Sequence, residues 1–265
     1  MHVDRAVHPI DRRFADSTSA GTAHGVAFGL IFILYLAIIL AAQSVMAAVA
    51  EEKTSRIAEI LVATISPTNL LVGKTLAAAA IAMVQIAAWL TTAMVVIPRV
   101  AAKSHASDFA AASASNNPAA AMPSFFVDPG VIVTFVVFFV LGYLQFATIY
   151  AAAASLISRT EDLGSVTTPL VMPVVGAFFI AQYSLSQPDA PVSVAFSFVP
   201  FVSPFVIFTR IAVSAVPAWQ IALAIVINAL AVAIAFYVSG KIYRVGMLLY
   251  GKMPSLKQIW AAIRT

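Results

Sequence analysis

The chain has 265 residues, of which 62% are hydrophobic and only 10% are charged, whereas soluble domains carry roughly 25% charged residues. This composition, with a mean hydropathy of +0.97, excludes a water-soluble globule. The net charge of +4 is too small for a nucleic-acid-binding surface. The chain has no cysteine, and its four histidines lack metal-ligand spacing. We therefore expect no nucleic-acid partner, no metal and no cofactor.

Five uncharged apolar stretches are long enough to cross a bilayer as helices, which takes about 20 residues each. A polar amino-terminal tail, residues 1–24, precedes the first stretch. The predicted spans run approximately over Val26–Ala50, Thr75–Ile97, Val131–Ser158, Leu163–Tyr183 and Trp219–Gly240. The pattern predicts an all-α polytopic integral membrane protein with about five transmembrane helices.

A sixth apolar stretch, residues 192–208, is shorter and contains Pro200 and Pro204. Proline lacks a backbone donor and resists a continuous helix, so we expect a broken, re-entrant segment that is buried against protein. The distribution of Lys and Arg leaves two topologies open. With five spans and the amino terminus outside, nine of the fifteen basic residues are cytoplasmic; with six spans and the amino terminus inside, ten are. Both topologies place the carboxyl terminus in the cytoplasm.

The segment between the first two spans, residues 51–74, has the pattern of a helix, a turn and a second helix. Glu52 and Arg56 are four residues apart, so they can pair on a helix whose other face is apolar. Ser66 and Pro67 supply an N-cap and a first-turn proline for the helix that follows. This pattern is typical either of a solvated bend at the membrane surface or of a docking element for a soluble partner.

The tripeptide Gly73-Lys74-Thr75 imitates the end of a phosphate-binding loop, G-x-x-x-x-G-K-[ST]. The first glycine of that motif would fall at Thr68, and the tripeptide leads into an apolar helix instead of following a β-strand. We therefore expect that the chain is not an enzyme and does not hydrolyse ATP itself.

The five spans contain only neutral polar side chains, among them Gln145 and Asn228. Ion-coupled carriers usually keep a charged group within the membrane, so this composition disfavours an ion-coupled carrier. A neutral amide in a span typically hydrogen-bonds a neighbouring helix.

Two further segments lie outside the predicted spans. Residues 99–128 form a tract of small residues that is typical of a flexible linker, and we expect it outside the cell. Residues 246–265 predict an amphipathic cytoplasmic tail that lies at the membrane surface. The transmembrane domain would then cover residues 25–245.

Four stretches of the sequence, in chain order, carry a resemblance to a known family: EEKTSRIAEILVATISPTNLLVGK, AAAASLISRTEDLGSVTTPLVMPVV, FVPFVSPFVIFTRIAVSAVP and GKIYRVGMLLYGKMPSLKQIW. They resemble the permease subunits of ABC-2 type transporters, specifically the sodium-extrusion-like branch, over roughly residues 25–260. The resemblance implies a membrane half-transporter that forms a homodimer, or a heterodimer with a second permease. It also implies separate ATP-binding cassette subunits that drive it.

In that family the loop corresponding to residues 51–74 is cytoplasmic and contains a coupling helix that touches the ATPase. The stretch before the last span is re-entrant from the outer side, so the resemblance favours the five-span topology. Relatives normally begin with a further transmembrane helix and a large external domain, so we expect a natural short form, a fragment or a mis-started reading frame. The ATPase-coupling residues that the resemblance implies are Arg56 and Glu59, supported by Glu51, Glu52 and Lys53.

The resulting hypothesis is a permease subunit of an ATP-driven exporter, embedded in the lipid bilayer of the inner (cytoplasmic) membrane. Its substrate is not encoded in any motif of the sequence. The alternative is a non-transporting membrane subunit that anchors or regulates a partner complex.

Overall fold

The computed structural model describes residues 17–55, 57, 64–104, 129–157 and 159–248. Within these ranges the chain forms seven α-helices, a 3-10 turn at Thr160–Asp162 and no strand, which confirms the all-α prediction. The helices are α1 Ser17–Thr54, α2 Pro67–Ser104, α3 Pro129–Leu156, α4 Leu163–Ser186, α5 Pro191–Phe196, α6 Ser203–Val213 and α7 Ala218–Leu248.

Five of these helices, α1 to α4 and α7, are long and apolar enough to cross a membrane. They coincide with the five spans predicted from the sequence, so that prediction is confirmed. Helix α2 begins at Pro67, and Ser66 Oγ accepts a hydrogen bond from the Asn69 N–H at 3.4 Å. The N-cap and first-turn proline that the sequence predicted are therefore present.

The long helices run alternately up and down the bundle. Helices α1, α3 and α7 end at one face, and α2 and α4 begin there; we call this face the Lys53 end. The contacts that define it join Lys53 to Ser155 and Gly246, Glu52 to Lys74, and Met46 to Thr167. Because α4 begins at the Lys53 end, it delivers the chain to the opposite end, from which α7 returns.

Helices α1 and α3 form the centre of the bundle, and α3 packs most extensively against α7 and α1. Its phenylalanines are buried, and two of them meet aromatic rings on the α5–α6 side. The ring centroids of Phe135 and Phe208 are 5.0 Å apart, and those of Phe146 and Phe201 are 5.5 Å apart, both edge to face. The outer helices α2, α4 and α7 instead expose large apolar side chains such as Ile81.

The apolar stretch with Pro200 and Pro204 is divided between two short helices, α5 and α6, joined by a turn. We call residues 191–213 the α5–α6 hairpin. All residues of α6 are buried, although this helix is only about 16 Å long at 1.5 Å per residue. A bilayer's hydrocarbon core is about 30 Å thick, so α6 is too short to cross it.

Gly142 marks the contact between α1, α3 and α6. A Cβ atom at this position would lie 3.0 Å from Ile38 Cδ1 and 3.1 Å from Pro204 Cβ.

We expect Gly142→Leu to lower the free energy of unfolding by about 1–3 kcal/mol, because overpacking forces the helices apart. Thermal unfolding in detergent measures this loss. Gly176→Leu is the control, since a Cβ there has no neighbour within 4 Å; an equal loss in both variants would contradict the prediction.

Candidate functional site

The end of α1 carries three of the residues that the sequence analysis assigned to coupling. Glu51 is exposed, Glu52 is half-buried and Lys53 is buried. Arg56 and Glu59 lie outside the described residues, so the predicted pairing of Glu52 with Arg56 stays a prediction. In the described part of the chain, Glu52 forms an ion pair with Lys74 of α2.

The Gly73-Lys74-Thr75 tripeptide lies inside the continuous helix α2. Thr75 Oγ1 donates a hydrogen bond to the Leu71 carbonyl oxygen at 2.9 Å, in the preceding turn. Backbone N–H groups beyond the first turn of a helix are bonded within it, and the Lys74 ammonium faces Glu52. Through Lys74, the tripeptide connects the two ends of the 51–74 segment. Because it lies within a helix, it does not form a loop with free N–H groups that could bind a phosphate.

Lys53 points into the bundle, although the two acidic residues that precede it, Glu51 and Glu52, are exposed and half-buried. Its side chain is 1% exposed. Lys53 Nζ donates hydrogen bonds to the carbonyl oxygens of Ser155 in α3 and Gly246 in α7, the latter at 2.8 Å. One ammonium group therefore joins the ends of α1, α3 and α7.

A second polar cluster surrounds the turn of the α5–α6 hairpin. Gln145 Nε2 donates to Asn228 Oδ1 at 2.9 Å, and Gln145 Oε1 accepts the Phe201 N–H at 2.8 Å. Asn228 Nδ2 donates to Ser203 Oγ at 2.8 Å, and Ser203 Oγ donates to the Ser197 carbonyl oxygen at 2.6 Å. Side chains of α3 and α7 thus bond directly to the turn.

These hydrogen bonds stabilise a turn that is otherwise unfavourable. Phe201 has φ of 69°, a left-handed conformation that costs a non-glycine residue roughly 1–2 kcal/mol. Asn228 lies ten residues after the start of α7 at Ala218, which is about 15 Å along the helix axis. The turn therefore reaches deep into the bundle, where only protein groups are available as hydrogen-bond partners.

Arg210 of α6 connects the residues just before the hairpin with the start of α7. Its side chain is 1% exposed. Its Nε donates to the Pro188 carbonyl oxygen at 2.7 Å, and its Nη1 donates to Ser197 Oγ at 3.0 Å and Gln220 Oε1 at 2.9 Å. Asp189 Oδ1 lies 3.7 Å from Nη2. Four groups around one guanidinium offset the cost of burying its charge.

The sequence predicted part of this cluster. The expectation that Gln145 and Asn228 hydrogen-bond a neighbouring helix is confirmed. Arg210 was not predicted, although an arginine two residues after an apolar stretch that contains Ser197 and Ser203 is itself a signal of a buried polar cluster. The partners of Arg210 come from three different segments, at residues 188–189, 197 and 220, and no local pattern brings those segments together.

Together, the fold and its polar clusters define a polytopic helical membrane protein with a broken segment before its last span. A family model for ABC-2 family transporter proteins matches residues 6–241. The chain therefore belongs to the ABC-2 family of transporter proteins.

Two relatives are both described only as uncharacterized. YhaP of Bacillus subtilis is 30% identical over 248 residues, which cover 92% of this chain and 56% of that protein. MJ1024 of Methanocaldococcus jannaschii is 26% identical over 231 residues, which cover 87% of this chain and 52% of that protein. The chain thus spans about half the length of the curated relatives it matches. No solved structure matches the chain.

We expect a double-mutant cycle on Gln145→Leu and Asn228→Leu to give a coupling energy of about 0.6–2 kcal/mol, as for hydrogen bonds between membrane helices. Unfolding of the two single variants and the double variant in detergent measures it. Thr91→Val combined with Asn228→Leu is the control, because the Thr91 hydroxyl bonds only its own helix, at Ala87 O. Additive losses for the Gln145 pair would show that the two amides do not stabilise each other.

Proposed function

We propose that the chain is the membrane-spanning permease subunit of an ATP-driven exporter, with ATP hydrolysis on a separate ATP-binding subunit. The observation that carries this proposal is the family membership over residues 6–241, together with the position of the 51–74 segment. That segment starts from the end of α1, where three helices converge on Lys53. A subunit docked on the segment would therefore act on several helices at once.

In this proposal the Lys53 end faces the cytoplasm. The basic residues of the segment and of the end of α7, including Lys74, Lys241 and Arg244, belong to this end, as the positive-inside rule favours. The exposed Trp219 begins α7, and the exposed Tyr237, with Lys241 Nζ 5.2 Å from its ring centroid, lies 18 residues further on. That separation is about 27 Å along a helix, which matches aromatic anchors at the two surfaces of a bilayer.

The α5–α6 hairpin would then be re-entrant from the outer side. Three observations support this proposal. Helix α6 is too short to cross a bilayer, and the turn at Phe201 lies deep in the bundle. Arg210 bonds to Pro188, which precedes the hairpin, and to Gln220, which follows it. A six-span topology would need residues 192–208 to cross the bilayer as one helix, and these residues instead form two helices joined by a turn.

The transport cycle would consist of alternating exposure of a path between two permeases. ATP-dependent closure of the ATP-binding subunits would push the 51–74 segments, and ADP release would let them return. Arg56 and Glu59 would make the main contacts with the ATP-binding subunit, and Glu51 would support them from the exposed face of α1. The apolar outer faces of α2, α4 and α7 would contact lipid and a second permease, identical or different.

The proposed orientation can be tested with single cysteines, because the chain has none of its own. Ser55 follows α1 at the Lys53 end, and Ser186 ends α4 at the opposite end; both are exposed. In intact cells we expect a membrane-impermeant maleimide to label Ser186→Cys and to spare Ser55→Cys, since a charged reagent does not cross the bilayer. Permeabilised cells are the control, in which both should react. The reverse pattern in intact cells would overturn the orientation.

The coupling role can be tested by reversing two charges, Arg56→Glu with Glu59→Lys. Removing one partner of a desolvated charge pair at an interface costs about 2–5 kcal/mol, so we expect affinity for the ATP-binding subunit to fall at least about tenfold. Pull-down of the full complex and its ATP hydrolysis measure the change. Reversal of Glu161, which lies in the exposed 3-10 turn outside the segment, is the control.

Unchanged binding and hydrolysis in the double variant would contradict the coupling role and leave the 51–74 segment as a solvated bend. A different pair of results would favour the non-transporting anchor: the double variant loses the ATP-binding subunit, and the wild-type chain binds that subunit without stimulating its ATP hydrolysis.

A further inference from the structure

Lys53 Nζ bonds to backbone carbonyl oxygens of two helices, at Ser155 of α3 and Gly246 of α7. Ser155 is the second-last residue of α3, and Gly246 is the third-last residue of α7. Ile157, the residue after α3, is not helical, and the carboxyl end of a helix is the negative end of its dipole, which favours a cation. A single ammonium group thus donates hydrogen bonds to carbonyl oxygens of two helices at once.

The fit around this ammonium group is tight. A Cβ atom at Gly246 would lie 2.2 Å from Ser155 Oγ and 2.7 Å from the Ser155 carbonyl oxygen. Since these distances are far below van der Waals contact, only glycine allows α7 to lie this close to α3. The two carbonyl oxygens are held together because the helix ends touch.

The Lys53 site lies at the root of the 51–74 segment. Lys53 is the second-last residue of α1, which ends at Thr54. The preceding residue, Glu52, forms the ion pair with Lys74 of α2. The two ends of the segment are therefore tied together by Glu52 and Lys74, and the segment is tied to α3 and α7 by Lys53. A displacement of the segment would therefore pull on α3 and α7 directly, through the hydrogen bonds of Lys53.

The same two helices hold the turn of the α5–α6 hairpin. Gln145 of α3 and Asn228 of α7 bond to each other, to the Phe201 N–H and to Ser203 Oγ. Helices α3 and α7 pack along each other more extensively than any other pair in the described chain. The contacts thus form a continuous path from Lys53, through α3 and α7, to the hairpin.

We propose that Lys53 is a positioning residue that transmits displacement of the 51–74 segment to α3 and α7, and through them to the α5–α6 hairpin. This inference rests on the proposed function, because it needs an ATP-binding subunit that moves the segment. It assigns Lys53 no contact with that subunit, since the side chain is buried inside the permease. Its role is distinct from that of Arg56 and Glu59, which would hold the subunit itself.

The test uses the full complex with its ATP-binding subunit and a reporter cysteine in the hairpin, Val192→Cys, at a position that is 48% exposed. We expect ATP to change the rate at which a maleimide labels this cysteine. In Lys53→Met, which keeps the length of the side chain and removes the ammonium, we expect that change to be lost. Pull-down of the ATP-binding subunit should stay within about twofold of wild type, because the segment's own surface is unaltered.

Two controls separate transmission from general damage. Lys241→Met removes the same charge from a lysine that lies over the Tyr237 ring, and the response of the reporter to ATP should persist. Lys53→Arg keeps a cation with several donors and should restore the response. Gly246→Ala keeps Lys53 but forces α7 away from Ser155; it should lose the response, and it serves as the test if Lys53→Met does not fold.

The outcomes are distinguishable. A response that Lys53→Met and Gly246→Ala retain would overturn this inference and leave the proposed function intact. Loss of the ATP-binding subunit from the Lys53→Met complex, with Arg56 and Glu59 unchanged, would also overturn it, because Lys53 would then act at the docking surface. No binding of an ATP-binding subunit to the wild-type chain would overturn the proposed function, and this inference with it.

Discussion

A bilayer interior offers no hydrogen-bond partners, so a helix can be broken there only where the protein itself supplies them. In this protein the break lies between α5 and α6, and the side chains of Gln145, Asn228 and Ser203 bond to the turn and to one another. A satisfied polar network of this kind stabilises one arrangement, whereas a half-satisfied one is costly. The positions of α3, α7 and the hairpin consequently depend on each other.

The buried charges follow the same rule at the two ends of the bundle. Lys53 and Arg210 are each 1% exposed, and their hydrogen bonds go to neutral acceptors: carbonyl oxygens for Lys53, and a carbonyl, a hydroxyl and an amide oxygen for Arg210. An unpartnered charge in such a position would cost several kcal/mol. Each cation therefore restricts the structure to geometries in which its acceptors converge, and each lies where several segments meet.

This arrangement joins several helices of the bundle by hydrogen bonds and leaves other helix faces in apolar surroundings. Helices α1, α3 and α7 are connected at the Lys53 end, and α3 and α7 are connected again at the hairpin. Helix α2 is bonded to α1 by the Glu52–Lys74 ion pair and to α3 by the Tyr143 hydroxyl, which donates to the Thr75 carbonyl oxygen. The outer faces of α2 and α4 carry large exposed apolar side chains such as Ile81 and Phe179. Contacts between such faces and lipid are non-directional, whereas the hydrogen-bonded clusters fix the positions of the helices that they join.

The sequence by itself determined the class of fold, the number of spans and several helix ends. Apolar runs of about 20 residues have few alternatives to membrane helices, Ser66 and Pro67 fix the start of α2, and Pro200 and Pro204 prevent one continuous helix. The family could be named because its motifs are contiguous. All of these properties depend on residues that are close together in the chain.

Only the tertiary structure decided which polar residues act together. Glu51, Glu52 and Lys53 are three consecutive charged residues, and the sequence does not show which of them is buried. Successive residues of a helix point about 100° apart, and Lys53 is the one that points into the bundle. Gln145 and Asn228 are 83 positions apart, and Lys53 is 193 positions from Gly246. Such contacts depend on how the helices are rotated and packed against each other, and that is determined by the sum of many weak contacts along the bundle rather than by any local pattern.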